Sequence, residues 1–83
     1  MDDQIYTVTA PVMGIFYRAA SPDGTHLAEV GQKINASDIV CVIESMKIFT
    51  ELRSEHAGVV KEILVENEEP VMKNQALITI EKQ

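Results

Sequence analysis

The sequence predicts an all-β fold, a flattened eight-stranded barrel or sandwich made of two four-stranded halves related by a pseudo-twofold axis. Three observations predict it. The apolar residues come in short runs or alternate at period two, turn-forming clusters separate those runs, and the second half of the chain repeats the pattern of the first.

The strands are read in order from that patterning. Ile5 to Thr9 and Gly14 to Arg18 precede the turn cluster "SPDG" at Ser21 to Gly24; Lys33 to Ile34 lies inside the polar stretch "GQKINASD". Ile39 to Glu44 and Ile48 to Arg53 form the most apolar segment, and "EHAG" at Glu55 to Gly58 ends it. Gly58 to Ile63, Pro70 to Val71 and Leu77 to Glu81 complete the set, with "ENEEP" at Glu66 to Pro70 between the first two.

The repeat organises these strands. At an offset of 37, "KINASDIVCVIE" at Lys33 to Glu44 overlies "PVMKNQALITIE" at Pro70 to Glu81; at an offset of 44, "MGIFYRAA" at Met13 to Ala20 overlies "AGVVKEIL" at Ala57 to Leu64. The change of offset means that the first half carries seven extra residues between Ala20 and Leu27, close to "SPDGTH". A unit of this size cannot close a core alone, so the two copies pack together as one domain over residues 1–83.

The duplication also locates a chain reversal. "DIVCVIESMKIFTEL" is far longer than an ordinary strand of about five or six residues, yet it contains no Gly, Pro or Asn. Glu81 is followed only by Lys82 and Gln83, so its counterpart Glu44 ends a strand and the turn falls at Ser45, Met46 and Lys47. Two-residue hairpin turns favour Asn and Gly because they need positive φ, and a Met-Lys turn is therefore expected to be strained. Backbone strain is often kept at functional sites. The symmetry puts both chain ends at the pole opposite Lys47.

Composition narrows the function classes. A formal charge of -6 argues against nucleic acid or an anionic membrane as partner. No apolar run reaches the length of a membrane span, the acidic start "MDDQIY" is unlike a secretory signal, and the lone Cys41 reads as a small core residue, so the expected location is the cytoplasm. Without Trp, and with only two Phe and two Tyr, a deep aromatic pocket is not expected. His26 and His56 stand at turns with no neighbours at metal-ligand spacing, and Glu66, Glu68 and Glu69 read as a solvated acidic turn, so no metal site is expected. No catalytic motif is found, and Met13, Met46 and Met72 do not form a stripe. A lone turn lysine is ordinarily a solvated charge; Lys47 differs in standing between Met46 and Ile48 at a turn without a turn-former.

At these residues the chain resembles a known family. "ESMKIFTEL" at Glu44 to Leu52 is similar to the biotin-attachment motif of biotin carboxyl carrier proteins, the carrier subunits of acetyl-CoA carboxylase. The resemblance extends through "APVMGIFYR", "SPDG", "VGQKI", "AGVVKEILVENEEPV" and "LITIE", and the insertion falls where those carriers have a protruding thumb. It implies covalent biotin on the ε-amine of Lys47, with Met46 preceding the acceptor and Glu44 helping a ligase recognise the site. Ser45 stands where alanine is usual and Ile48 where methionine is usual. The thumb residues Ser21, Pro22, Asp23, Gly24, Thr25 and His26 are expected near the biotin arm.

The resemblance further implies a domain that catalyses nothing itself. Its partners would be a biotin protein ligase, a biotin carboxylase and a carboxyltransferase, with carboxylate passed to acetyl-CoA to form malonyl-CoA for fatty acid biosynthesis; the full-length carrier would be a homodimer. Two other readings stay open at this point. A lipoyl domain shares the fold, but its motif usually has Asp before the lysine and Ala after it, unlike Met46 and Ile48. An unmodified interaction module with the same fold is the other.

Overall fold

A computed structural model gives the structure, described here for residues 4–21 and 24–83. The described chain forms eight strands: β1 (Ile5–Thr9), β2 (Gly14–Tyr17), β3 (Lys33–Ile34), β4 (Ile39–Ser45), β5 (Ile48–Arg53), β6 (Gly58–Ile63), β7 (Pro70–Val71) and β8 (Ala76–Lys82). They pair in two antiparallel sheets, ordered β1-β8-β6-β3 and β5-β4-β2-β7. Exchanging the halves, β1 for β5, β2 for β6, β3 for β7 and β4 for β8, turns the first order into the second. The expected twofold is present, and each sheet mixes strands from both halves.

Three strands differ from the sequence reading at one or both ends. β2 stops at Tyr17 because the Arg18 N–H turns to the side chain of Asn67, donating to Oδ1 at 2.8 Å. β4 gains Ser45, which pairs with Ile48 to close the hairpin. β8 gains Ala76 and Lys82, opposite Thr9 and Gly58.

The core fills the space between the sheets. Phe16, Cys41, Ile43 and Leu52 face it from one side, with Val8, Val60, Ile78 and Ile80 from the other. A fully buried side chain such as Phe16 contributes about 1.5–3 kcal/mol relative to an exposed one. Irregular pairing explains the long apolar runs. The register skips Val40 between β4 and β5 and Leu77 between β1 and β8, so each strand carries one extra residue that is also buried. Val40 and Leu77 are themselves 37 positions apart.

The turns repeat as well. Glu29–Gln32, Asn35–Asp38, Glu66–Glu69 and Met72–Gln75 each close with a backbone hydrogen bond from the fourth residue to the first, at 3.0–3.1 Å. In each, the fourth side chain also accepts from the first residue's N–H, at 2.8–3.0 Å. Their third residues, Gly31, Ser37, Glu68 and Asn74, all have positive φ. These side-chain clamps let ordinary residues hold conformations that usually favour glycine.

Two glycines are required by close approach instead. A Cβ on Gly58 would lie 2.9 Å from the carbonyl carbon of Glu81, and one on Gly14 would lie 3.1 Å from that of Glu44 and 2.8 Å from Ile43 Cγ2. Backbone atoms in the middle of a sheet cannot move aside as a flexible side chain can.

The hairpin between β4 and β5 turns at Met46 and Lys47, with φ of 52° and 67°. Positive φ at both central positions is the pattern of a type I′ turn, and it costs an L-residue other than Asn or Gly about 1–2 kcal/mol. At the other end of the molecule β1 begins beside the end of β8: Lys82 N–H donates to Gln4 O and Gln83 N–H to Ala57 O. The chain climbs β1, crosses through residues 10–13 and enters β2 level with Glu44, so chain ends and hairpin occupy opposite poles.

Three outcomes are expected. Gly58→Ala destabilises the protein by about 2 kcal/mol or more through overpacking, measured as a lowered urea midpoint. Met46→Asn, at a position 90% exposed, relieves the turn and stabilises by about 0.5–1 kcal/mol, read in thermal unfolding. Burial pushes the Cys41 thiol up to about 12, so it stays unreactive toward a thiol reagent at pH 8 until the protein unfolds. The folded state keeps a proton that the unfolded chain releases above about 8.5; this contribution is fully present below that pH and is lost as pH rises toward 12.

Candidate functional site

Lys47 stands at the apex of the β4–β5 hairpin, exposed, and among the described residues its ammonium makes no ion pair. Its backbone is held firmly all the same. The Lys47 N–H donates to Oε2 of Glu44 at 2.9 Å, so the glutamate closes the turn from below while Ser45 and Ile48 pair above it. Glu44 is in turn backed by Gly14, whose lack of a Cβ lets β2 press against the Glu44 carbonyl. A turn without a turn-former is therefore stabilised by one carboxylate and two neighbouring strands.

The candidate side chains divide by position. Glu44 and Ser45 are half-buried, while Met46, Lys47 and Ile48 are exposed. Because partners across a ladder share a face, Val42 and Glu44 lie on the outer face with Tyr17, Ile15, Phe49 and Glu51. Phe49, two residues beyond Lys47, meets Tyr17 with ring centroids 6.4 Å apart. This apolar strip lies on the outside of the sheet rather than in the core.

The insertion after β2 covers part of the strip. Its base is clamped where the Leu27 N–H donates to Arg18 O at 2.7 Å. Arg18 Nη2 donates to Ala28 O at 3.2 Å and to Glu29 Oε1 at 2.9 Å, and His26 Nδ1 lies 3.1 Å from Glu29 Oε2. Between loop and sheet runs a groove of about 280 Å³, with Tyr17, Val42 and Phe49 on its floor and Ser21, Gly24 and His26 among its loop wall. Thr25 is exposed in the same loop; Pro22 and Asp23 lie outside the described residues. The groove thus opens beside the strand that leaves Lys47.

Sequence reading alone missed several residues here. Tyr17, Val42 and Phe49 form the groove floor, and only their alternation with core positions could have marked them as outward-facing. Gly14 supports Glu44, and its match to Gly58 at an offset of 44 was the available signal. The methionines are a related case. They form no stripe along the chain, but β4, β2 and β7 are neighbours, with Ile15 opposite both Glu44 and Pro70 and Gly14 opposite Val71. This register puts Met13, Met46 and Met72 past the end of the sheet that carries the hairpin.

No group of three or more His, Cys, Asp or Glu residues suited to a metal occurs among the described residues. Nor, among them, is any helix long and apolar enough to cross a membrane.

Comparison with known proteins agrees with this geometry. The sequence profile of the family described as "Biotin-requiring enzyme" matches residues 6–80. The biotin carboxyl carrier protein of acetyl-CoA carboxylase from Pseudomonas aeruginosa is 45% identical over 73 residues, 88% of this chain and 47% of that one. Its namesake from Nostoc is 42% identical over 80 residues, covering 96% of this chain and 44% of the relative. The chain therefore spans about half the length of these curated relatives. Among solved structures, a single-chain, multi-domain long-chain acyl-CoA carboxylase superposes with a TM-score of 0.83 at 18% identity, over all of this chain and 8% of that one. Urea carboxylase of Kluyveromyces lactis superposes with a TM-score of 0.77 at 24% identity, over 96% of this chain and 6% of the other. At such identities the structural likeness speaks for the fold. The match across nearly the whole sequence speaks for descent, and on that ground the chain belongs to the biotin-requiring enzyme family.

Proposed function

We propose that residues 1–83 act as one biotinyl domain, a carrier whose Lys47 holds biotin in amide linkage for a biotin-dependent carboxylase, most naturally acetyl-CoA carboxylase. The observation that carries this reading is the exposed lysine at the apex of a strained hairpin, with its backbone N–H fastened by Glu44. Family membership and the names of the relatives support it. The residues also suit the group: the Lys47 amine is exposed and makes no ion pair among the described residues, and an apolar groove opens along the same outer face.

Each residue of the tip has a share in the work. Nζ of Lys47, after losing a proton, would be the nucleophile for the amide bond, attacking a biotin carboxyl that the ligase has activated as its adenylate with ATP so that AMP leaves; acylation removes the lysine's charge, which lowers the cost of entering a partner's active site. Glu44 sets the direction of the lysine by holding its backbone. Met46 and Ile48 present an apolar surface to the ligase, and Ser45 closes the hairpin against Ile48. The loop around Ser21, Gly24, Thr25 and His26 screens the arm on one side. Lys47 would hold the biotin, whose ureido ring would supply a nitrogen able to carry carboxylate between two active sites. The domain itself catalyses neither transfer. Its contribution is effective concentration, since a tethered group meets both sites without diffusing away.

A rigid β base serves that task by presenting the tip in one geometry. Attachment to a longer carrier through the opposite pole would leave the tip unobstructed. The partners are then a biotin protein ligase, a biotin carboxylase and a carboxyltransferase that makes malonyl-CoA. The setting is cytoplasmic fatty acid biosynthesis, and the full-length carrier is a homodimer.

Co-expression with a biotin protein ligase, followed by intact mass and peptide fragmentation, tests the reading. One biotin on Lys47, and none on a Lys47→Arg variant that keeps the charge without the amine, is the expected result. A folded protein left unmodified, or one that accepts lipoate instead from its own ligase, would overturn it.

A further inference from the structure

We propose that Asn67 and Glu68, on the turn between β6 and β7, form a donor–acceptor pair that receives the ureido edge of biotin at the far end of the groove. This deepens the carrier reading of Lys47 and rests on it.

The groove leads from the hairpin to this turn. Its floor runs from Phe49 on β5 through Val42 on β4 to Tyr17 on β2, and Asn67 and Glu68 complete its lining. Phe49 pairs with Glu44 and Tyr17 with Val42, so the floor recedes from the tip as it crosses the sheet. The turn is seated at the end of that path. Phe16 N–H donates to Glu69 O at 2.9 Å, Glu68 N–H to Phe16 O at 2.6 Å, and Arg18 N–H to Asn67 Oδ1 at 2.8 Å.

The arm has the length to follow it. Tyr17 is level with Val42, one strand over, which puts it roughly 15 Å from the apex at about 3.3 Å per residue and about 4.8 Å between strands. Biotin in amide linkage on Lys47 would stand about eleven single bonds from Cα, roughly 14 Å when extended, and the fused rings span the remainder. An apolar floor with a few placed polar groups is the usual form of a small-molecule site, and about 280 Å³ is at the small end of such sites.

The polar groups at the end match the head. A ureido edge offers one N–H donor beside one carbonyl acceptor. Asn67 spends Oδ1 on the Arg18 N–H, so its Nδ2 remains as a donor, and the Glu68 carboxylate can only accept. Neither Nδ2 nor the carboxylate has a hydrogen bond or ion pair among the described residues.

The duplication shows that the turn itself does not require these residues. At the offset of 37, Glu66–Glu69 is the counterpart of Glu29–Gln32, closed by the same backbone and side-chain hydrogen bonds. There the two central residues are Val30 and Gly31, and Gly31 takes its φ of 90° freely. Glu68 holds a φ of 71°, unfavourable by about 1–2 kcal/mol for a residue with a Cβ. The insertion that walls the groove follows β2 alone, so only the second copy of the turn has a groove to face.

The test compares backbone amide shifts of the full ¹⁵N-labelled chain, unmodified and biotinylated by a purified ligase, in the parent, in Asn67→Asp and in Glu68→Gly. Asn67→Asp keeps an oxygen for the Arg18 N–H and removes the donor; Glu68→Gly removes the acceptor and suits the positive φ. In the parent, biotinylation is expected to shift Tyr17, Asn67 and Glu68 as well as the residues beside Lys47. In both variants the shifts at Tyr17 and the turn are expected to disappear while those beside Lys47 remain. The thermal midpoint of Glu68→Gly should equal or exceed that of the parent, which separates a ligand contact from a structural role. Parent shifts confined to the hairpin, or groove shifts that survive in both variants, overturn the proposal and leave Lys47 as the acceptor. A lowered midpoint in Glu68→Gly gives the glutamate a structural role and overturns it too. If the parent takes no biotin, the acceptor reading fails and this proposal with it.

Discussion

Neither half of the chain can build a sheet without the other. β8, from the second half, is bonded on one side to β1, from the first, and β4 is bonded to β2 from its own half and to β5 from the other. The twofold relation is therefore an interleaving rather than a stacking of two finished units. Removing either half would expose the edges of central strands as well as the core, and unpaired buried backbone groups are expensive. The rigidity of the tip follows from this interleaving.

The hairpin draws on that rigidity. Positive φ at both Met46 and Lys47 is unfavourable by itself, and it persists because β4 is pinned between β2 and β5 up to the last pair before the turn. Glu44 then ties the turn to the sheet, and Gly14 lets β2 come close enough to support it. The symmetric place at the other pole holds the chain ends, with Glu81 in the position of Glu44. One molecule thus has two equivalent strand ends, of which one is closed by a hairpin and the other lies beside Gln4 and Gln83. The lysine at the closed end stands at the opposite pole from them.

Much of this was legible in the sequence. The eight strands follow from period-two alternation and turn clusters, and the place of the reversal follows from the overlay of Glu44 on Glu81. What blurred the reading was local. The bulges at Val40 and Leu77 bury two consecutive residues where alternation expects one, and Arg18 leaves its strand because a side chain 49 positions away, Asn67, takes its N–H. The turns at Ser37, Glu68 and Asn74 look ordinary in sequence because positive φ is sustained there by side-chain clamps rather than by glycine.

The sequence by itself determined the strands, the duplication, the insertion and the candidate lysine, because each is written in spacing along the chain and spacing is what a sequence records. Only the tertiary structure decided what surrounds that lysine. Met13 and Met72 lie 59 positions apart and come to the same end of the sheet because β2 and β7 are neighbours. Phe49 and Tyr17 floor a groove because β4 lies between their strands and turns both rings to the outer face. Such groupings depend on which strands become adjacent and in what register, and that choice is made by packing two halves around one core.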